Sequence, residues 1–329
     1  MSYPFAPPTA GAALRSPTVV NQVGPEIAEL LAAHPARPRV VATPDPDRPW
    51  ILPPEADVLL VRPGPAWAAA PRERPAGWPG ALRFVQLRSA VIDFFPDWLV
   101  APDGPTVSSG RGLAAPAIAE YALAAILDVE KRLGDRAIRS PEAFRQATLG
   151  TLEGKALGLY GYGAIGRAVA TRAHAFGMEV LAVRRGPGAE GGVRRMADLA
   201  ALAAACDHLV LAAPATPETH RALDARVLAG ARPGLHVVSV ARGSLVDQEA
   251  LLAALDAGRV GFASLDVTDP EPLPAGHPLY AHPRVRITPH VSWHGAHYGR
   301  RFAERVAANL SAYAAGLAPS DLVAAAARY

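Results

Sequence analysis

The sequence predicts an α/β protein built on parallel sheets, the larger of them doubly wound. Three observations carry that expectation. Short, near-continuous apolar runs recur along the chain, as strands buried on both faces require. Amphipathic helical stretches separate most of them. A glycine-rich turn, Gly161-Tyr162-Gly163-Ala164-Ile165-Gly166, stands between one such run and one such helix.

Taken in order, Pro38-Arg39-Val40-Val41, Val58-Leu59-Leu60-Val61 and Phe84-Val85-Gln86-Leu87 read as short strands, with a helix over 27–33. Residues 116–132 place Ile118, Tyr121, Ala122, Ala125 and Ile126 on one helical face. Regular alternation then begins. Runs at 156–160, 180–183, 208–212, 236–240 and 262–267 read as buried parallel strands, and 285–287 as one more. Helical patterns lie at 165–176, 196–206 and 248–257. The last helix, 300–315, carries an apolar seam of Phe302, Val306, Leu310 and Tyr313.

The chain has 329 residues, and at about 150 residues per domain it has room for roughly two. Half the residues are hydrophobic and 19% are charged, which excludes a chain disordered throughout. The net charge is +3, and only Lys131 and Lys155 are lysines. The arginines are scattered, so no nucleic-acid-binding face is expected. The single Cys206 excludes an internal disulfide and a multi-cysteine metal site; it reads as a small buried hydrophobe. No His/Asp/Glu cluster has the spacing of metal ligands. The N-terminus lacks the apolar core of an export signal, and no apolar stretch approaches the ~20 residues of a membrane span. A soluble cytoplasmic protein with no membrane partner is expected.

The glycine turn is a weak signal alone, since glycines serve ordinary turns. Following a buried strand and opening a helix, it has the context of dinucleotide binding. Gly161 allows the tight turn, Gly163 lets backbone approach a pyrophosphate, and Gly166 lets helix pack on strand. Tyr162 lies between the first two, and Ala164 and Ile165 present N–H groups at the helix N-terminus. At the end of the next strand, where an acid would accept bonds from a ribose 2′-hydroxyl, stand Arg184 and Arg185. Guanidinium groups cannot accept but can neutralise a 2′-phosphate. NADP(H) is therefore favoured over NAD(H), against the rival that these are two surface arginines in an arginine-rich chain.

Three further segments follow strands. VVSVARGSLVDQEAL carries Arg242, ASLDVTDPEPLPAGHPLY carries Asp266 and Glu271, and VRITPHVSWHG carries His290. Reduction of a 2-oxo acid needs a cation for the carboxylate, an acid for the carbonyl oxygen and a hydride donor. Arg242 suits the first role through its planar fork. His290 suits the second because an imidazole ordinarily titrates near neutrality, and Glu271 would hold its imidazolium form. Any one of the three could be an ordinary surface residue; three segments in order make coincidence improbable. Arg62, after DVLLV, is placed to reach a distal anionic group of a substrate, though Pro63 and Gly64 rather than further polar residues follow it; Trp293 either walls the pocket near His290 or packs under the interdomain helix.

Together with the glycine turn, these segments resemble the D-isomer-specific 2-hydroxyacid dehydrogenase family, which includes glyoxylate/hydroxypyruvate reductases and phosphoglycerate dehydrogenase. The resemblance runs from about Val85 to the C-terminal helix and is faint before it. It implies a Rossmann cofactor domain, 113–295, inserted into a smaller flavodoxin-like substrate domain made of 1–112 and 296–329. It further implies a cleft at the hinge and a homodimer. Asp266 would then sit near the nicotinamide, and Pro214, Val240 and Ala241 would touch the cofactor. RSAVIDFF resembles the family's substrate loop, with Ala90 in place but Val91 where the family has glycine. The function implied is hydride transfer between NADP(H) and a small 2-oxo or D-2-hydroxy acid. The alternative is a dinucleotide-sensing regulatory or scaffold protein of the same fold.

Overall fold

The structure is a computed structural model that describes residues 14–184 and 191–323. These residues form two compact units. One takes the described residues up to Leu113 and those from Ala296 onward; the other is Ala114–Gly295.

The first unit holds a parallel sheet of five strands: β1 (Thr18–Gln22), β2 (Arg39–Val41), β3 (Val58–Val61), β4 (Phe84–Leu87) and β5 (Thr106–Ser108). Their order is β2-β1-β3-β4-β5, the flavodoxin-like order, which reverses between β1 and β3. β3 and β4 are buried along their whole length, as the apolar run of β3 predicts, and β4 takes one polar residue, Gln86, into the interior. One face packs under the helices Ala28–Ala33 and Tyr298–Ala314, with Val19, Leu30, Phe302, Val306 and Leu310 in a common core. The other face carries Trp67, Phe95 and Trp98. Asn309 points inward from the last helix, and its buried amide donates to Gln86 Oε1 at 2.7 Å and to Ser108 Oγ at 3.0 Å, so burial leaves it satisfied.

The second unit holds seven parallel strands: β6 (Ala156–Tyr160), β7 (Glu179–Val183), β8 (Arg194–Arg195), β9 (His208–Leu211), β10 (Leu235–Ser239), β11 (Val260–Leu265) and β12 (Val285–Ile287). The order β12-β11-β10-β9-β6-β7-β8 is that of a doubly wound dinucleotide-binding sheet, which reverses between β6 and β9. A core lies on each face. Gly158 in β6 explains how close one helix comes: a Cβ there would meet Cys206 Sγ at 2.7 Å. Cys206 is fully buried, and burial pushes its thiol up to about 12, as befits a packing residue.

Boundaries differ from the sequence reading where caps decide them. The helix expected over 196–206 is Leu199–Ala205, because the Asp198 carboxylate accepts from Ala201 N at 2.8 Å and starts the helix there. The long helix expected over 116–132 is Ala115–Lys131 and stops at Arg132, which turns left-handed at φ 50°. β1, β5 and β8 are additional to the strands read from sequence. Among the described residues, no helix is long and apolar enough to cross a membrane.

Candidate active site

Because every strand of the second sheet runs parallel, the loops after β6, β7, β9, β10, β11 and β12 leave one edge, where ligands of open α/β sheets bind. The glycine turn follows β6 directly. Gly161 has φ +104°, and a Cβ there would lie 2.6 Å from Ala213 N in the loop after β9. A Cβ at Gly166 would lie 2.4 Å from Gly161 O, so only glycine lets the helix Ala164–Ala175 start so close to the strand. At Gly163 a Cβ would meet nothing within 4 Å. The turn is thus tight below and open above, with no acidic residue in the helix's first turn to compete with an anion. That cradle fits a dinucleotide's pyrophosphate held on helix N–H groups, Ala164 and Ile165 among them.

Arg184 follows β7, and its guanidinium lies over the Tyr162 ring, 5.5 Å from the centroid. The cation therefore stands beside the glycine turn rather than away from it. Arg185 lies outside the described residues. Pro214 sits in the loop after β9 and accepts from Thr219 Oγ1 at 2.7 Å through its carbonyl. Val240 is buried at the end of β10, and Ala241 is half-buried beside it.

Arg242 comes next, extended at φ −144°, with Nη1 donating to the Ala241 carbonyl at 2.9 Å. Its neighbour Gly243 explains how this turn is held. A Cβ there would fall 2.0 Å from the Thr268 carbonyl carbon. The Arg242 turn is therefore seated against the backbone of the loop that carries Glu271. Gln248 clasps the same loop, its amide nitrogen donating to Asp269 O and its Oε1 accepting from Asp269 N at 3.2 Å.

Glu271 and His290 meet at 2.7 Å, Oε1 to Nδ1. Glu271 Oε2 also accepts from Thr268 N at 3.4 Å. With Nδ1 turned to the carboxylate, Nε2 is the nitrogen left to face a ligand. His290 itself is left-handed at φ 52°, a region where non-glycine residues need outside support. Asp266 supplies it. This carboxylate, 1% exposed, accepts from Val291 N at 3.0 Å and Ser292 N at 2.9 Å, and its carbonyl accepts from His290 N at 3.0 Å. Thr288 Oγ1 donates to it as well, at 2.5 Å. Asp266 thus braces the histidine turn, a relation that sequence spacing did not reveal. Gly243 and Thr288 were equally invisible, although the Arg-Gly and Thr-Pro-His sequences marked their turns.

Trp293 is 39% exposed and stacks on His294 at 4.9 Å. Arg62, Ala90 and Val91 belong to the first unit. Arg62 is exposed after β3, Ala90 is exposed, and half-buried Val91 accepts from Ser89 Oγ at 2.7 Å through its carbonyl. Among the described residues no group of three His, Cys, Asp or Glu is arranged to hold a metal ion.

Comparison with known proteins identifies a family. The family model described as D-isomer specific 2-hydroxyacid dehydrogenase, NAD binding domain, matches residues 123–292. The chain is 33% identical over 208 residues to the glyoxylate/hydroxypyruvate reductase A of Serratia proteamaculans, spanning 62% of this chain and 66% of that one. It is 33% identical over 231 residues to the glyoxylate reductase of Thermofilum pendens, spanning 67% and 68%. The matches thus cover about two thirds of each relative. Among solved structures, the D-isomer specific 2-hydroxyacid dehydrogenase of Xanthobacter autotrophicus Py2, in complex with NADPH and MES, matches at a TM-score of 0.77 and 27% identity, over 95% of this chain and 100% of that one.

Proposed function

The chain belongs to the D-isomer-specific 2-hydroxyacid dehydrogenase family, and on that premise we propose that it reduces a small 2-oxo acid to the D-2-hydroxy acid with NADPH. The observation that carries the reading is the 2.7 Å contact between His290 Nδ1 and Glu271 Oε1. A protein that only senses a dinucleotide has no use for an imidazole oriented by a carboxylate.

In this reading Arg242 grips the substrate carboxylate through two parallel N–H bonds. His290, with Nδ1–H on Glu271, gives its Nε2 proton to the carbonyl oxygen and recovers it from solvent afterwards. Glu271 stabilises the charged imidazole before transfer. The nicotinamide cofactor, when bound, supplies the hydride that reduces the carbonyl carbon. Gly161, Tyr162, Gly163, Ala164, Ile165 and Gly166 would hold its pyrophosphate, with Pro214, Val240, Ala241 and Asp266 along the remaining loops. Arg62, Ala90, Val91 and Trp293 would shape the substrate side.

The preference for NADPH rests on Arg184, which stands at the end of β7 where an acid would bind a free ribose, and beside the glycine turn. NADPH is also the cofactor in the solved relative from Xanthobacter autotrophicus. A homodimer is supported by residues 132–149, which are exposed throughout yet carry Leu133, Ile138, Phe144 and Leu149. An apolar set of this size on one exposed stretch calls for a protein partner, and a second copy is the simplest one.

The deciding experiment is turnover of NADPH and NADH with glyoxylate, hydroxypyruvate and larger 2-oxo acids. Oxidation of NADPH by at least one of them, with the D-hydroxy acid as product, is the expected result. No turnover with any substrate would reject the enzyme reading in favour of a sensor.

A further inference from the structure

One more side chain is wired to the turn that bears His290. Tyr121 lies on the helix Ala115–Lys131, and its Oη is 2.7 Å from Thr288 Oγ1. Thr288 Oγ1 is in turn 2.5 Å from Asp266 Oδ1. Counting protons fixes the direction of this chain. The Asp266 carboxylate already accepts from the N–H groups of Val291 and Ser292, and a carboxylate has no proton to return. Thr288 therefore directs its single hydroxyl proton at Asp266, which leaves Tyr121 as the donor to Thr288. Burial pushes the Tyr121 phenol above its ordinary value, so the donor keeps its proton across the neutral range.

The packing of the helix does not require this hydroxyl. Ile118, Ala122 and Ala125 bury the same face without any polar group, and a phenylalanine at 121 would fill the same space. The hydroxyl is the part that reaches across to the strand β12 end, and it arrives on the residue two before His290.

We propose that Tyr121 is a positioning residue for the reaction, acting through Thr288 and Asp266 to hold the left-handed His290 turn and so keep the imidazole on Glu271. The inference rests on His290 being the proton donor to a 2-oxo acid. Bonds in such a relay polarise one another, so the far end stiffens the near one.

Three variants test it: Tyr121→Phe, Thr288→Val and Thr288→Ser. One readout is amide hydrogen exchange at Val291 and Ser292, the N–H groups held by Asp266; the other is kcat with the best wild-type substrate. Nucleotide Kd and thermal unfolding are followed alongside. Because a small misplacement of a reacting group costs up to about 10²-fold, kcat is expected to fall about tenfold in Thr288→Val and about threefold in Tyr121→Phe. Exchange at 291 and 292 quickens in both, nucleotide Kd stays put, and Thr288→Ser, which keeps the hydroxyl, recovers most of the loss. The proposal is overturned by unchanged exchange in Thr288→Val, by faster exchange with unchanged kcat, or by a kcat loss that Thr288→Ser shares. A wild type that turns over no 2-oxo acid would bring down the functional reading itself. An active wild type with indifferent variants would remove only the role of Tyr121.

Discussion

The Glu271 carboxylate and the His290 imidazole, 19 residues apart in sequence, meet at 2.7 Å across loops that leave the paired strands β11 and β12. A carboxylate in that position favours the charged ring over the neutral one. Glutamine at 271 keeps the shape and an acceptor but removes the charge. Without the carboxylate to orient the ring, kcat of Glu271→Gln for 2-oxo acid reduction should fall by about tenfold or more, with nucleotide Kd and thermal unfolding unmoved. The check is kcat of the variant against the wild type at saturating NADPH. A kcat within about twofold of the wild type, with the protein still folded, would reject the coupling.

Arg184 should set the choice between nucleotides. A hydrogen bond to a charged group contributes roughly 1.5–3 kcal/mol, so losing one to a 2′-phosphate lowers relative kcat/KM by about tenfold or more. Arg184→Asp goes further, since the new carboxylate repels the phosphate and accepts from a ribose hydroxyl. The ratio of kcat/KM for NADPH over NADH is expected above one in the wild type and inverted or strongly reduced in the variant. An indifferent ratio in the wild type would contradict the assignment.

A second pair of residues gives the molecule an acid limit. His208 and His236 face each other across β9 and β10, Nδ1 to Nδ1 at 3.1 Å, and His236 Nε2 is 3.0 Å from Ser264 Oγ. Burial holds His208 down at about 4 and His236 well below its ordinary value. The Glu130 carboxylate, 3.2 Å from His208 Nε2, pulls the other way, while Lys155 and Arg286 add to the lowering. Both rings are thus neutral when folded and protonated when unfolded as pH drops below 6.5. Their contribution to stability is complete above pH 6.5 and is lost as pH falls toward about 4. Each can steepen the decline by up to about 1.4 kcal/mol per pH unit. Urea unfolding at intervals from about pH 7.5 to 5, above the usual carboxylate range, should show a steeper slope in the wild type than in the double variant His208→Gln/His236→Gln. Buried His34 is lowered too but is common to both proteins, so the difference isolates the pair. Parallel slopes would refute it.

The exposed stretch 132–149 should decide assembly. Phe144 and Leu133 are 64% and 66% exposed, and charging both, Leu133→Asp with Phe144→Asp, should convert a dimer to a monomer by light scattering at micromolar protein. A wild type that is monomeric, or a double variant that still dimerises, would count against this surface.

What could be read without coordinates was whatever is local in the chain. β3, β4 and β6 declare themselves as apolar runs, and the glycine turn needs only its own residues and the strand before it. β1 does not: it ends in Asn21 and Gln22, whose polar side chains are used internally, Asn21 on Gly24 O at 2.9 Å and Gln22 on Pro49 O at 2.7 Å and Trp67 Nε1 at 2.9 Å. β8 is two arginines pairing at the sheet edge beside β7, a sequence with no strand signal. At the site, Arg242, Glu271 and His290 stand in segments that announce themselves. Gly243, Thr288 and Asp266 act on partners in other loops, and a close approach of two backbones leaves no mark in either sequence.

The helix Tyr298–Ala314 completes the first unit's core against Val19, Ile27 and Leu30, chain that is made long before it. The second unit is contiguous, so everything its sheet needs emerges from the ribosome in one stretch. The two units therefore mature on different clocks. While translation passes through Ala114–Gly295, the five-stranded sheet waits with an apolar face uncovered, and the entropy of closing so long a loop must be met before the last helix can dock. That waiting sheet is the part of the nascent chain most exposed to aggregation and to capture by chaperones.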